Sequence, residues 1–149
     1  MFKRLVPLFI SLCLLLGVAY AGENYTLSGD VTFQHDGDIY ICVFTKEEFR
    51  DFVVPNYDLS QLRCKVIKLN SDLKREGEVS FRLDGIPKGT YCIITYQDVN
   101  KNGKVDFINL LIDEPFGSYR ELSPARNILE WKLVRFDLEK DITGIEIHM

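Results

Sequence analysis

EVSFRLDGIPKGTYCIITYQ, residues 78–97, is the stretch that decides the fold. Its first part alternates apolar residues, beginning at Val79, with polar ones, and this period of two is typical of a strand with one buried face. A tight turn with two glycines and a proline follows at residues 85–89, and residues 90–97 return as a more apolar strand. Because the connection is so short, we expect the two strands to pair antiparallel.

Similar short segments lie on both sides of this hairpin. We predict further strands near 25–34, 39–44, 62–69, 128–138 and 142–149, a helix at 46–53, and a charged turn at 71–77. The first two strands are expected to form a hairpin through residues 35–38, and the last two to form a pair with a bulge near Val134. With about seven short strands, the sequence predicts an all-β fold, an antiparallel β-sandwich of immunoglobulin-like or prealbumin-like plan with one short helix.

The helix is predicted from its first turn. Thr45 and Glu48 have the spacing of a capping box, in which each side chain bonds the other residue's backbone N–H. Phe49 and Phe52 then fall on one helical face, so we expect this face to be buried.

The first 21 residues have the features of a secretory signal peptide. Lys3 and Arg4 precede an apolar run at 5–20, and Ala19-Tyr20-Ala21 forms a small-residue cleavage motif. We therefore expect a mature single domain at 22–149, periplasmic or secreted, with no membrane span after cleavage.

Charge and cysteines narrow the possible partners. The chain carries 18 basic and 22 acidic residues, a net charge of −4, so a nucleic-acid partner is not expected. Removal of Lys3 and Arg4 with the signal peptide would leave 16 basic and 22 acidic residues, a net charge of −6. Cys42, Cys64 and Cys92 would remain, and an oxidising compartment favours one disulfide among three possible pairings, although all three could instead be buried thiols.

Residues 98–106 form the most informative segment. Oxygen-bearing side chains occupy its positions 1, 3, 5 and 9, and Gly103 stands at position 6. This spacing matches the first nine positions of an EF-hand-type calcium loop, in which alternate residues direct oxygens inward. The predicted metal ligands are Asp98, Asn100, Asn102, the carbonyl of Lys104, and Asp106.

Position 12 of this loop departs from the calcium pattern. Asn109 stands where a bidentate glutamate is usual, so Asp113 or Glu114 would have to fold back to complete the site. With fewer charges we expect weak binding, on the order of 0.1–1 mM. The alternative is a solvated turn nucleated by Asn102-Gly103.

No motif in the sequence predicts catalysis. The chain has two histidines, His35 and His148, and no nucleophile, nucleotide or metalloprotease signature. We therefore expect a non-enzymatic binding or structural module with a protein or glycan partner. A small transthyretin-like hydrolase and a thiol-active protein are the alternatives. Trp131, Phe136 and the tyrosines could line a groove for a sugar or peptide, and the apolar run 107–112 could be core or a partner surface.

Two quoted segments carry a family resemblance. LDGIPKGTY (83–91) and YQDVNKNGKVD (96–106), followed by Glu114-Pro115-Phe116-Gly117-Ser118, resemble the bacterial exported domain-of-unknown-function family 2141. The chain departs from that family at residues 111–113, where Gly-Ile-Pro is usual, and at Gln97, where histidine is frequent. The resemblance implies an exported β-sandwich and assigns no activity.

Overall fold

The structure is a computed structural model that describes residues 22–52, 62–108, 111–120 and 129–149. Within these ranges the strands are β1 (Asn24–Thr32), β2 (Asp38–Phe44), β3 (Arg63–Ile67), β4 (Glu78–Pro87), β5 (Gly89–Asp98), β6 (Phe107–Ile108), β7 (Leu111–Ile112), β8 (Phe116–Ser118), β9 (Phe136–Leu138) and β10 (Ile142–His148). The helices are α1 (Lys46–Phe52), α2 (Ser71–Glu76) and α3 (Trp131–Val134). The predicted signal peptide and Asn109 lie outside the described residues. Among the helices described, none is long and apolar enough to cross a membrane.

Two main sheets share one hydrophobic core. The first has the strand order β10-β1-β4, and the second has the order β3-β2-β5-β8, with β9 also paired to β5. Buried residues from both sheets form this inner core, among them Leu27, Val31, Ile41, Phe81, Ile93 and Ile147. The structure therefore confirms the predicted all-β sandwich.

The second sheet is covered on its outer face as well. There Cys42 and Phe44 of β2 and Ile94 and Tyr96 of β5 form an outer core, against which α1, the β6–β7 hairpin and α3 pack. Every residue of β5 from Tyr91 to Asp98 is consequently buried. Burial on both faces explains why β2 and β5 read as continuous apolar runs.

Three predicted strand pairings are wrong. β4 and β5, which were expected to pair across the turn at 85–89, lie in different sheets. β1 pairs with β4 and β10, whereas β2 pairs with β3 and β5, so the turn at 35–38 carries the chain from one sheet to the other. The predicted C-terminal pair is also absent from the described residues, because β9 joins β5 and β10 joins β1 in parallel. Apolar alternation identifies the buried face of a strand but does not specify its partner or direction.

Side-chain capping explains where the helices α1 and α2 begin. In α1 the Thr45 N–H donates to Glu48 Oε2 (2.7 Å) and the Glu48 N–H donates to Thr45 Oγ1 (3.3 Å), which confirms the predicted capping box. The predicted turn at 71–77 is instead α2, since the Asn70 side chain accepts from the N–H groups of Asp72 and Leu73. The strand expected near 128–138 is wrong over residues 131–134, because these form α3 and only β9 is a strand. The expected bulge near Val134 is wrong for the same reason.

One disulfide joins neighbouring strands of the second sheet. Cys42 and Cys64 are directly opposite each other in β2 and β3, with Cα atoms 4.1 Å apart, and their sulfurs are bonded. The bond closes the chain segment that contains α1. Cys92 is a buried free thiol in β5.

Reduction of this disulfide should destabilise the protein. The cross-link spans 22 residues, and constraint of the unfolded chain by a loop of that size predicts a loss of about 3 kcal/mol in the free energy of unfolding. Urea unfolding with and without dithiothreitol measures the loss. The double variant Cys42→Ala/Cys64→Ala should be insensitive to dithiothreitol, and Cys92→Ala should remain sensitive. Equal sensitivity of all three proteins would contradict this account.

Candidate functional site

The candidate site begins where β5 ends. Asp98, the last residue of β5, is 2% exposed and lies opposite Asp38 of β2. Since alternate residues of a strand share a face, the Asp98 side chain lies on the outer-core face, as Tyr96 does. A Cβ atom at Gly37 would lie 2.2 Å from the Asp98 carbonyl oxygen. The turn between the sheets can therefore approach the Asp98 backbone only because residue 37 is glycine.

Side-chain oxygens organise the loop that follows. The Asp98 carboxylate accepts from the N–H of Asn102 (3.1 Å) and from that of Gly103 (2.8 Å). Asn100 Oδ1 also accepts from the Asn102 N–H (3.1 Å), and Asn102 Oδ1 accepts from the Lys104 N–H (2.8 Å). The chain therefore wraps around these oxygens, with Gly103 in the left-handed conformation at φ 73°.

Asp106 closes the loop. Its Oδ2 atom accepts from the side-chain amide of Asn100 (2.5 Å) and from that of Asn102 (2.8 Å). Four of the five predicted ligands, all except the Lys104 carbonyl, are thus connected through side-chain hydrogen bonds. Lys104 takes part through its N–H, and none of the described hydrogen bonds involves its carbonyl.

Glu114 folds back onto this loop. It is one of the two residues predicted to replace the glutamate that is missing at position 12 of the loop. It is 7% exposed, and its carboxylate accepts from the N–H of Val99 (3.2 Å) and from that of Asp106 (3.4 Å). Burial raises the pKa of Glu114 to about 7; the charges of Asp98 and Asp106 add to the rise, and the two N–H groups partly offset it. Asp113, the other alternative, is exposed and donates its N–H to the Asp106 carbonyl (2.8 Å).

Two stacked tyrosines lie beside the carboxylates. The rings of Tyr40 and Tyr96 are 4.7 Å apart and nearly parallel, at 10°. Tyr96 is fully buried, and its hydroxyl has no hydrogen-bond partner among the described residues. Burial raises the pKa of both phenols, and the charges of Asp98 and Glu114 contribute to each rise. This pair was not predictable from the sequence, because a tyrosine in an apolar strand is indistinguishable from an ordinary core residue.

The carboxylates of this site are held by donors of the chain itself. Across the described ranges, no group of three or more His, Cys, Asp or Glu side chains has an arrangement that could hold a metal ion. Both Glu114 oxygens face backbone N–H groups, and Asp106 Oδ2 faces two amide N–H groups. A cation would therefore need the Asn100 and Asn102 amides to turn their oxygens inward.

The other groups singled out in the sequence lie apart from this loop or are inaccessible. Burial raises the pKa of the Cys92 thiol well above its usual range, so little thiolate is present for chemistry. His148 Nδ1 lies 2.7 Å from Thr32 Oγ1 at an exposed position of β10. Gln97 donates its side-chain amide to the carbonyls of His35 (2.6 Å) and Gly37 (3.3 Å), which fixes the turn between the sheets.

Comparison with known proteins gives one match. The model of a family described as "Uncharacterized protein conserved in bacteria (DUF2141)" matches residues 31–145. Neither the curated proteins nor the solved structures give a match.

The raised pKa of Glu114 predicts a pH-dependent stability in the absence of metal. Between about pH 4.5, where an ordinary glutamate ionises, and about pH 7, the native state retains a proton that the unfolded state has lost. The free energy of unfolding should therefore fall as the pH rises through this range. Urea unfolding in EDTA at several pH values should show the fall in the wild type and a flatter profile in Glu114→Gln.

Asp113→Asn is the matched control for this measurement. It removes the neighbouring carboxylate, which is exposed, and should keep the wild-type slope. Parallel profiles for the wild type and Glu114→Gln would show that Glu114 is not the group responsible.

Proposed function

We propose that this chain, which belongs to the uncharacterised bacterial family DUF2141, has a non-catalytic function. The protein is an exported binding or structural module, periplasmic or secreted, in which the 98–106 loop binds calcium weakly. Export is inferred from the signal-peptide features of residues 1–21. The binding role is inferred from the loop.

The observation that carries the calcium proposal is that hydrogen bonds tie the Glu114 carboxylate to the 98–106 loop, which itself contains two carboxylates. As they stand in the described residues, these three carboxylates are not arranged to hold a metal ion, so they would have to close around calcium. Asp98 and Asp106 belong to the loop, and Glu114 reaches both its beginning, at Val99, and its end, at Asp106. Hard cations such as calcium prefer carboxylate and amide oxygens. Each carboxylate oxygen that accepts one hydrogen bond retains a second lone pair for a cation.

Cationic side chains do not neutralise this cluster within the described part of the chain. Lys101 lies within the loop, but its ion pair is with Asp36 (3.8 Å) rather than with a carboxylate of the cluster. Asp36 also pairs with Lys74 (2.8 Å). Burial raises the pKa of Glu114, and repulsion from Asp98 and Asp106 adds to the rise; bound calcium would offset that repulsion. It would compete with a proton at this site, so calcium affinity should weaken as the pH falls below about 7.

Calcium at this position would have a structural role. The loop leads directly into the β6–β7 hairpin, and Val105 of the loop packs on the outer core together with Phe107 and Ile112 of the hairpin. The ring of Phe107 lies 5.7 Å from that of Phe52 in α1. A cation held by Asp98 and Asp106 would tie this covering layer to the end of β5.

Two observations support a non-catalytic role over the hydrolase and thiol alternatives. The free thiol of Cys92 is buried and has a raised pKa, so it is a poor nucleophile. The imidazole of His148 lies on β10 at an exposed position and contacts Thr32 rather than a carboxylate that could orient it for proton transfer.

A calcium titration followed by thermal unfolding tests the proposal. At ten times the dissociation constant, binding to the native state alone adds roughly 1.4 kcal/mol, or about 3–6 °C in melting temperature. We expect such a rise at pH 7.5 with calcium, a smaller one at pH 6, and none in Asp98→Asn.

Asp72→Asn serves as the matched control for Asp98→Asn. Asp72 is exposed and pairs with Arg75 in α2, so its substitution removes one carboxylate but should leave the calcium response intact. No calcium-specific rise in the wild type, or the same response in both variants, would contradict the proposal and leave the loop as an Asn-Gly turn.

A further inference from the structure

A cleft lies at the start of β5, and the 98–106 loop lies at the other end of the same strand. The volume of the cleft is about 580 Å³, which is within the usual range for a small-ligand site. It is lined by residues 45–47 at the start of α1, by residues 89–91 at the start of β5, and by Trp131, Lys132 and Arg135 in and just after α3. β5 runs from this cleft to Asp98, so the two sites are separated by the length of one strand, roughly 30 Å.

The cleft is basic although the chain is acidic. Lys46, Lys132 and Arg135 line it together with one acid, Glu47, whereas the whole chain has a net charge of −4. In the ranges that the structure describes, none of these three cations forms a salt bridge. The Arg63 guanidinium lies 5.8 Å from the centre of the Tyr91 ring and adds a further positive charge nearby. A group of unpaired cations in a concave site favours an anionic ligand.

An aromatic platform lies among these cations. Trp131 is half-buried, and its ring is 5.6 Å from that of Phe49, which is buried against the sheet. Tyr91 also borders the cleft, where the missing side chain of Gly89 leaves room for its ring, but it is 5% exposed and packs in the inner core, so the aromatic surface of the cleft is that of Trp131. Phe136, which the sequence also suggested for a groove, is instead buried in the inner core.

We propose that this cleft binds an acidic saccharide, a short chain of sugar residues that carry carboxylates. The electron-rich face of Trp131 attracts the weakly positive C–H groups on the flat side of a sugar ring. The Arg135 guanidinium matches a carboxylate with two parallel N–H groups, and the two lysines provide further charge. The inference deepens the proposed binding function by naming a ligand class. It rests on the proposed function in one respect, namely that the saccharide is bound and not cleaved.

Trp131 is the only tryptophan of the chain and therefore reports directly on the cleft. We would titrate the full protein with trigalacturonate and follow the tryptophan fluorescence, using the fully methyl-esterified trisaccharide as a matched neutral ligand. The expected result is a saturable change with trigalacturonate that weakens with added salt, and no saturable change with the ester.

Variants locate the binding. Lys132→Gln/Arg135→Gln should weaken binding roughly tenfold or more, since a hydrogen bond to a charged group is lost at each position. Lys68→Gln removes an exposed lysine beyond the far end of β3 and should have no effect. Circular dichroism of each variant checks that it is folded, and calorimetry with Trp131→Phe measures binding without the fluorescent reporter.

Three results would overturn the inference: equal binding of the ester, equal weakening by Lys68→Gln, or equally tight binding of citrate, which carries charge without a sugar ring. Titration in EDTA and in calcium separates this inference from the calcium proposal, because the cleft contains no residue of the 98–106 loop. Shortening of the saccharide would contradict the non-catalytic function without showing where the saccharide binds, which the variants decide.

Discussion

The burial of β5 on both faces is the constraint on which the rest of this structure depends. One face contributes Ile93 to the core between the two sheets, and the other contributes Ile94 and Tyr96 to the outer core. A strand in this position can place exposed polar chemistry only at its two ends. The calcium loop and the basic cleft are proposed at those ends, and the interior of the strand carries neither.

The inner core is covered by the two regular sheets, whereas the outer core is covered by a less regular layer. It is built from α1, the two-residue strands β6 and β7, and α3, each of which is too short to be stable without tertiary contacts. Aromatic contacts hold these pieces, including Phe44 with Phe52 and Phe49 with Trp131. Polar contacts hold the β6–β7 hairpin, whose flanking residues are joined by the Asp113 N–H to the Asp106 carbonyl. The candidate site is thus part of the structure that keeps the outer core covered.

The sequence was sufficient for local structure and for the composition of the loop. Alternation at 78–84 identified β4, and the Thr45–Glu48 spacing identified the start of α1, because both depend on residues that are close in the chain. The clustering of Asp98, Asn100, Asn102 and Asp106 was predictable for the same reason. The short helix α2 was missed because its stability comes from the Asn70 cap rather than from an apolar face.

Long-range features were beyond the sequence. The parallel pairing of β10 with β1, and the passage of the chain between sheets at 35–38, depend on which strands meet, and alternation carries no such information. The choice of Glu114 over Asp113 depends on the path of the intervening hairpin. The unpartnered hydroxyl of Tyr96 and the meeting of Lys46 with Arg135 in one cleft likewise arise only when distant segments pack together.

The parallel pairing has a consequence for how this chain reaches its native state. Leu27 of β1 pairs with Ile142 of β10, so this contact joins the two ends of the domain. Contacts of such long sequence separation carry a large loop-closure entropy and are typical of slow folding. During synthesis, β1 lacks one of its two neighbours until residue 142 has emerged. The nascent chain therefore presents an unpaired strand edge for most of its elongation, and such an edge is prone to pair with another chain.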